Sequence, residues 1–429
     1  MENTFDKLPF KPADILLPQD CDYDKWSVVA CDQYTSQPEY WQRVEERVGR
    51  VPSALRLILP ESSLDGPQVE MDIMEINSTM SRYVREGRFK TLPGAMVYVE
   101  RTLFNGRVRR GLVGMADLNA YDYEPGSDAL IRATEGVVMS RIPPRVAVRK
   151  NAPIELPHVM LLTDDPDRTV IEPLAAQTDA MEPVYDFDLM EQGGHIKGWR
   201  LTEEQLKQVA GALSALADPA AFRARYDAKG RDVMLFAVGD GNHSLATAKE
   251  CYERQKRLTP QEKWDTLPAR FALCELVNLH DDSLEFEPIH RVVFNTEPEA
   301  LLDALMDYYP GAKRGAEPEG DGLPVRYVYT GSEGTVMLPR SAHWLAVGAL
   351  QSFLDDYLVD RPGRVDYIHG EDVAREFAAR PGNIAFLLPP MPKEELFPAV
   401  IHSGVLPRKT FSMGEAHDKR FYLEARKIR

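Results

Sequence analysis

The chain has 429 residues, more than one hydrophobic core holds, so roughly two or three cores are expected. Its composition, 44% hydrophobic and 28% charged, is that of a folded globular protein and excludes a collagenous or disordered chain. The 51 basic and 67 acidic residues leave a net charge of −16, which argues against bulk nucleic-acid binding but not against a small anion held at a local positive site.

Cys21, Cys31, Cys251 and Cys274 show no C-x-x-C and no disulfide framework, so they read as reduced thiols of a cytoplasmic protein. The first residues, Met1 to Lys7, lack the basic-then-apolar order of a signal peptide. No apolar run approaches the roughly 18 residues that span a membrane. The expectation is a cytoplasmic protein with no membrane partner.

Apolar spacing predicts helices over Pro38 to Val48 and Val69 to Arg88. A hairpin follows, Met96 to Leu103 and Val108 to Ala116, turned by Asn105-Gly106, whose residues tolerate positive φ. Residues 117–156 look irregular, with one helix near Ser127 to Met139. His158 to Thr163 reads as a buried strand. Thr202-x-x-Gln205 is a capping box, and Asp218-Pro219 starts a second helix that Gly230 ends. A strand at Val233 to Val238 then runs through a glycine turn into an Ala-rich helix. Further strands are expected at Phe271 to Asn278 and Leu284 to Phe294, and a helix at Thr296 to Tyr309. Pro310 to Pro324 reads as a linker or exposed loop. Beyond it strands (Val325 to Thr330, Thr335 to Leu338, Ile384 to Leu388) alternate with helices (Leu350 to Leu358, Glu371 to Arg380, Lys393 to Ser403). The fold class is mixed α/β. Two regions are expected, 1–295 and 296–429, with cores that interleave in sequence as the alternative.

The densest concentration of chemistry is the turn Gly239-Asp240-Gly241-Asn242-His243-Ser244. Glycines allow a sharp turn and close approach to a ligand. The free N–H groups and positive end of the following helix favour an anion, most often phosphate. Read from the residues alone, the turn is equally a tight join in which Asp240 or Asn242 caps the helix.

This turn resembles the Asp-Gly-His-His-Arg signature of the domain-of-unknown-function 1015 family. Other segments resemble that family in the same order: Arg56 to Glu61, Gly111-Leu112-Val113-Gly114, Ala133-Thr134-Glu135-Gly136, Pro288-Ile289-His290-Arg291, Ala385 to Pro390 and Gly404 to Phe411. The turn is also similar to the phosphate-binding turn of ParB/sulfiredoxin-like proteins, which include free-serine kinases. The resemblance implies a ParB/sulfiredoxin-like core with additional mixed α/β regions. It also implies a phosphotransferase that takes phosphate from a nucleotide or other donor to a small hydroxyl metabolite such as free serine. The alternatives are a non-catalytic nucleotide- or metabolite-binding regulator and a phosphate-ester hydrolase. Asn242 and Ser244 stand where the family has its first His and its Arg, which removes a bidentate phosphate donor. Arg291 or Lys409 could substitute.

The expected catalytic residues are Asp240 or Glu61 as base and His243 as phosphate contact or proton shuttle, its ordinary pKa of about 6.5 lying near neutrality. Gly239, Gly241, Asn242 and Ser244 would bind phosphate, largely through backbone N–H groups. Asp32, Glu135, His290, Arg291 and Lys409 complete the phosphate- and substrate-binding set. Arg141, Arg145 and Arg149 read as a basic lip or as scattered solvated charges, since Pro143-Pro144 argues against a regular helix there. The nine histidines show no metal-ligand spacing. Mg²⁺ would come with a nucleotide or pyrophosphate.

Overall fold

In the computed structural model residues 4–429 are described, apart from 36, 65 and 316–321. The chain divides into two compact units, Met1–Leu284 with Gly414–Arg429, and Glu285–Met413. Along the chain the divisions fall at 284/285 and 413/414, so the last sixteen residues belong to the larger unit. The fold is mixed α/β.

The larger unit is organised by a ten-stranded mixed sheet among the described residues. The Asn105-Gly106 hairpin forms as expected, with Val97–Thr102 antiparallel to Val108–Asp117 and Gly106 at φ 81°. Phe271–Asn278 pairs antiparallel with Val108–Asp117 and parallel with Met160–Thr163. Met160–Thr163 pairs antiparallel with Phe236–Asp240. The register places Met160 opposite Asp240 and slips by a bulge before Leu161. Phe236, Ala237, Val238, Leu161, Leu162 and Leu276 are wholly buried, as a strand covered on both faces requires. The bulge leaves Gly239 without a register partner between Val238 and Asp240.

Two local expectations are corrected by packing. The helix predicted near Ser127 to Met139 is absent; Ile131–Ala133 is a strand parallel to Phe236–Val238 and fully buried. Pairing and burial override local propensity there. Ile142–Arg149 is, conversely, a helix. Its prolines fall in the first turn, where the missing N–H would have no intrahelical partner and the fixed φ suits the helix. Arg141, Arg145 and Arg149, four residues apart, therefore share one helical face.

The capping box at Thr202 and Gln205 forms with both of its bonds. The helix after Asp218 ends earlier than Gly230, at Tyr226, with Asp227 left-handed at φ 46°.

In the smaller unit a sheet of seven strands among the described residues carries Gly322–Tyr329, Ser332–Pro339, Ile384–Leu387, Phe286–Phe294 and Arg364–His369. Helices Ala346–Tyr357 and Glu371–Ala378 bury Phe353, Leu354, Ala374 and Ala378. Within the expected linker Pro310 to Pro324, Lys313–Gly315 and the start of Gly322–Tyr329 are strands, and 316–321 lie outside the described residues. Among the described residues no helix is long and apolar enough to cross a membrane.

Candidate functional site

The Phe236–Asp240 strand hands over to the sixteen-residue helix Asn242–Arg257 through Gly241 alone. Gly241 holds φ 81°, and a Cβ there would lie 3.0 Å from Val159 Cγ2 and 3.1 Å from Val159 Cα. Only glycine fits both the backbone and the space. The helix has no side-chain cap and no acidic residue in its first turn. Among the described residues the N–H groups of Asn242, His243 and Ser244 meet no acceptor. The Gly241 N–H differs from expectation: it donates to Asp240 Oδ1 at 2.8 Å and is already engaged.

The segment 134–138 frames this turn. Asn242 is buried, and its side chain is structural: Oδ1 accepts from the Thr134 N–H at 3.2 Å and Nδ2 donates to Thr134 Oγ1 at 3.2 Å. Thr134 Oγ1 in turn donates to the Val238 carbonyl at 2.6 Å. Glu135 lies half-buried on the same segment. His243 Nε2 accepts the Val138 N–H at 3.1 Å, which puts the ring proton of the neutral imidazole on Nδ1. Burial, with Arg145 and Arg141 nearby, pushes the His243 pKa down to about 4. The ordinary value assumed from the sequence does not hold: at neutral pH His243 is an uncharged donor.

Charged residues from four further segments surround the turn. Glu61 pairs with Arg145 at 2.7 Å, joining the start of a short helical turn to the arginine face of Ile142–Arg149. Glu61 and Asp32 both act electrostatically on His243. Burial raises the Asp32 pKa, but His158, the Gln33 amide and Lys419 outweigh it, so Asp32 is a carboxylate below the usual range. Asp240 Oδ2 lies 3.1 Å from Lys419 Nζ. Tyr422 OH lies 2.8 Å from His158 Nδ1, accepts the Cys31 N–H at 3.2 Å and sits 3.1 Å from Cys31 Sγ. Burial and Asp32 push the Cys31 thiol up to about 12, so it stays protonated.

Lys419 and Tyr422 reach the site because the C-terminal segment is clamped. Buried Arg101 donates to the carbonyls of Lys419, His417 and Gly193, and Arg109 donates to that of Asp418. Phe421–Tyr422 pairs with Val28–Val29, four residues before Asp32 at its start. Buried carbonyls accept from both guanidinium groups in this clamp, while Arg109 Nε has no hydrogen-bond partner among the described residues.

Of the residues read from the sequence, Asp32, Glu61, Asp240 and His243 thus share one electrostatic environment in the larger unit. His290, Arg291 and Lys409 belong to the smaller unit. Arg291 is fully buried, and its guanidinium donates to the carbonyls of Ile289, Lys409 and Arg408 and to Gln351 Oε1. Its donors serve the backbone of its own unit. Lys409 is exposed at φ 57°. The cations at the turn are instead Arg145, Arg141 and Lys419. Lys419, His158 and Tyr422 carry no motif and were not read from the sequence.

Among the described residues no group of three metal-ligating side chains is assembled. Asp240 is held by Lys419 and Glu61 by Arg145.

The sequence model of the family described as protein of unknown function (DUF1015) matches residues 10–361. The chain belongs to that family. No curated protein matches it. Solved structures with a similar course of chain include a free serine kinase in complex with AMP, at 12% identity, covering 73% of this chain and 91% of that one with a TM-score of 0.40. A conserved hypothetical protein from Pyrococcus furiosus has 10% identity, 73% and 94% coverage and a TM-score of 0.36. SbnI with a C-terminal truncation, from Staphylococcus aureus, has 8% identity, 70% and 82% coverage and a TM-score of 0.36.

Proposed function

We propose that this DUF1015 protein is a small-molecule phosphotransferase whose donor, a nucleotide or another phosphate compound, docks at the turn Gly239 to Ser244. The observation that carries this reading is the uncapped N-terminus of a sixteen-residue helix, with three N–H groups lacking acceptors, beside Arg145, Lys419 and three carboxylates. Phosphoryl transfer asks mainly for positioning and for positive charge where negative charge develops. The N–H groups of Asn242, His243 and Ser244 hold phosphate oxygens. His243 Nδ1–H adds a neutral donor, and Arg145 supplies the guanidinium that Ser244 lacks. Asp240 or Glu61 takes the acceptor's hydroxyl proton. Asp32 and Lys419 set the charge around that base. Mg²⁺ would enter with the donor's phosphates, and no step is assigned to it. The acceptor class, a small hydroxyl compound such as free serine, rests on the resemblance of the turn.

The test crosses ATP, ADP and pyrophosphate against free serine and a panel of hydroxyl metabolites, with products identified by mass spectrometry. A phosphorylated acceptor that falls by orders of magnitude with His243→Ala is the expected result. A product formed equally well by that variant would overturn the assignment. The regulator reading draws on Ser244 in place of the family's Arg and on Lys419 pairing Asp240. It predicts thermal stabilisation by a donor with no product. The hydrolase reading predicts free phosphate with no acceptor present.

A further inference from the structure

A cleft of about 380 Å³ opens within the smaller unit, at the lower end of the volumes that hold small molecules. The strand Phe286–Phe294 changes partners there: Phe286 to Pro288 pair with Phe411–Met413, whereas Arg291 to Val293 pair with Ile384–Phe386. Glu287 and His290, three residues apart, both line the cleft. Prolines 288, 324, 389 and 390 and leucines 387 and 388 form its apolar walls.

The polar groups of this cleft are incompletely satisfied. Glu287 is half-buried, and among the described residues no hydrogen bond or ion pair reaches its carboxylate. His290 is 3% exposed. Its Nδ1 accepts the Leu388 N–H at 3.2 Å, which leaves the proton of the neutral ring on Nε2. Burial lowers the His290 pKa and keeps the ring neutral. Among the described residues that Nε2–H meets no acceptor. The helix Glu371–Ala378 begins at the same cleft, with Gly370 at φ 83°, Glu371 and Asp372 in its first turn and, among the described residues, no side-chain cap on its first N–H groups. Arg326 is already shared between Glu333 and Glu371, at 3.2 and 3.3 Å.

An unpaired carboxylate and unpaired neutral donors, set between apolar walls, ask for a ligand with a positive end and an acceptor end. A phosphate dianion would meet Glu287 at close range and be repelled. A bare amine would leave His290 Nε2–H unsatisfied, and a bare carboxylate would leave Glu287 unpaired. We propose that this cleft is a binding site for a small zwitterion, a free amino acid or a short ω-amino acid. Its ammonium pairs with Glu287, and its carboxylate accepts from His290 Nε2–H and the first N–H groups of Glu371–Ala378. The proposal stands independently of the phosphotransferase reading.

The test is calorimetric titration of the full chain with glycine, γ-aminobutyrate, propylamine, propionate and inorganic phosphate. The zwitterions are expected to bind at least tenfold more tightly than propylamine or propionate, and any phosphate binding should be the same in wild type and Glu287→Gln. Glu287→Gln should raise their Kd at least tenfold, and His243→Ala should leave it unchanged. In parallel, histidine side-chain NMR of the wild-type chain, with the His290 signal identified through His290→Asn, should show glycine moving that resonance. The NMR arm holds even if Glu287→Gln fails to fold. Equal binding by wild type and Glu287→Gln overturns the proposal. So does a still His290 resonance, propylamine or propionate binding as tightly as glycine, or binding lost only in His243→Ala.

Discussion

Replacing Gly241 with alanine tests how the fold shapes the turn. Two costs combine at this position. A left-handed φ of 81° costs an L-residue about 1–2 kcal/mol. The new Cβ would also sit 3.0 Å from Val159 Cγ2 and 3.1 Å from Val159 Cα, inside ordinary carbon–carbon contact of about 3.5–4.0 Å. Val159 Cα is backbone leading into a buried strand, so it cannot rotate away. Relief of such overpacking typically costs about 1–3 kcal/mol. The combined loss is about 2–5 kcal/mol. Gly230 supplies the control: it holds φ 76°, and a Cβ there would meet nothing within 4 Å, so Gly230→Ala carries only the conformational cost of about 1–2 kcal/mol. Differential scanning calorimetry of the two variants measures the difference. At about 2 °C per kcal/mol for a unit of this size, Gly241→Ala should lower the transition by about 4–10 °C and Gly230→Ala by about 2–4 °C. Phosphate or nucleotide binding should weaken in the first variant alone, because Gly241 aims the N–H groups of residues 242–244. A Gly241→Ala protein as stable as Gly230→Ala would refute the claim that the His158-Val159 backbone confines this turn.

Two further outcomes follow from the charges. The His243 pKa is depressed to about 4 in the fold from an ordinary 6.5, so between those values the unfolded chain binds more protons. The stability linked to neutral His243 is present above about pH 6.5 and is lost as pH falls toward 4. Thermal melts of wild type and His243→Gln over that range should show the wild type losing ground as pH falls; parallel curves would show that the depression is absent. Arg291→Met should leave the buried Ile289 carbonyl and the part-buried Lys409 and Arg408 carbonyls without this donor, so the smaller unit's stability should fall by about 1–3 kcal/mol. An Arg291→Met protein of native stability that has lost donor binding would return Arg291 to the phosphate site.

Elements whose signal lies within a few contiguous residues were legible. The Asn105-Gly106 hairpin, the Thr202–Gln205 capping box and the strand Phe271–Asn278 each follow from local backbone preferences or from a run of apolar residues. Ile131–Ala133 was not legible, because its strand state depends on a partner a hundred residues on, at Phe236–Val238. The Pro143-Pro144 pair shows a different failure. Proline opposes a helix interior but suits its first turn, and which position applies depends on where the helix starts.

The candidate site divides along the same line. The turn Gly239 to Ser244 is contiguous, so its glycines, acid, amide and imidazole could be read as an anion site directly from the chain. The sequence by itself therefore determined the strand–turn–helix and the mixed α/β class, whereas the structure engages the Gly241 N–H with Asp240 and adds that of His243 to those of Asn242 and Ser244. Only the tertiary structure decided which charges stand around them. Arg145 arrives on a helix, Lys419 and Tyr422 on a C-terminal segment clamped by Arg101 and Arg109, and Asp32 on a turn after Val28–Val29. It also turned His243 from an ordinary imidazole into a neutral donor and tied Arg291 to backbone carbonyls of the smaller unit. The physical reason is that side-chain ionisation and hydrogen-bond pairing depend on burial and on neighbours distant in sequence, whereas turn geometry depends on the φ and ψ of a few consecutive residues.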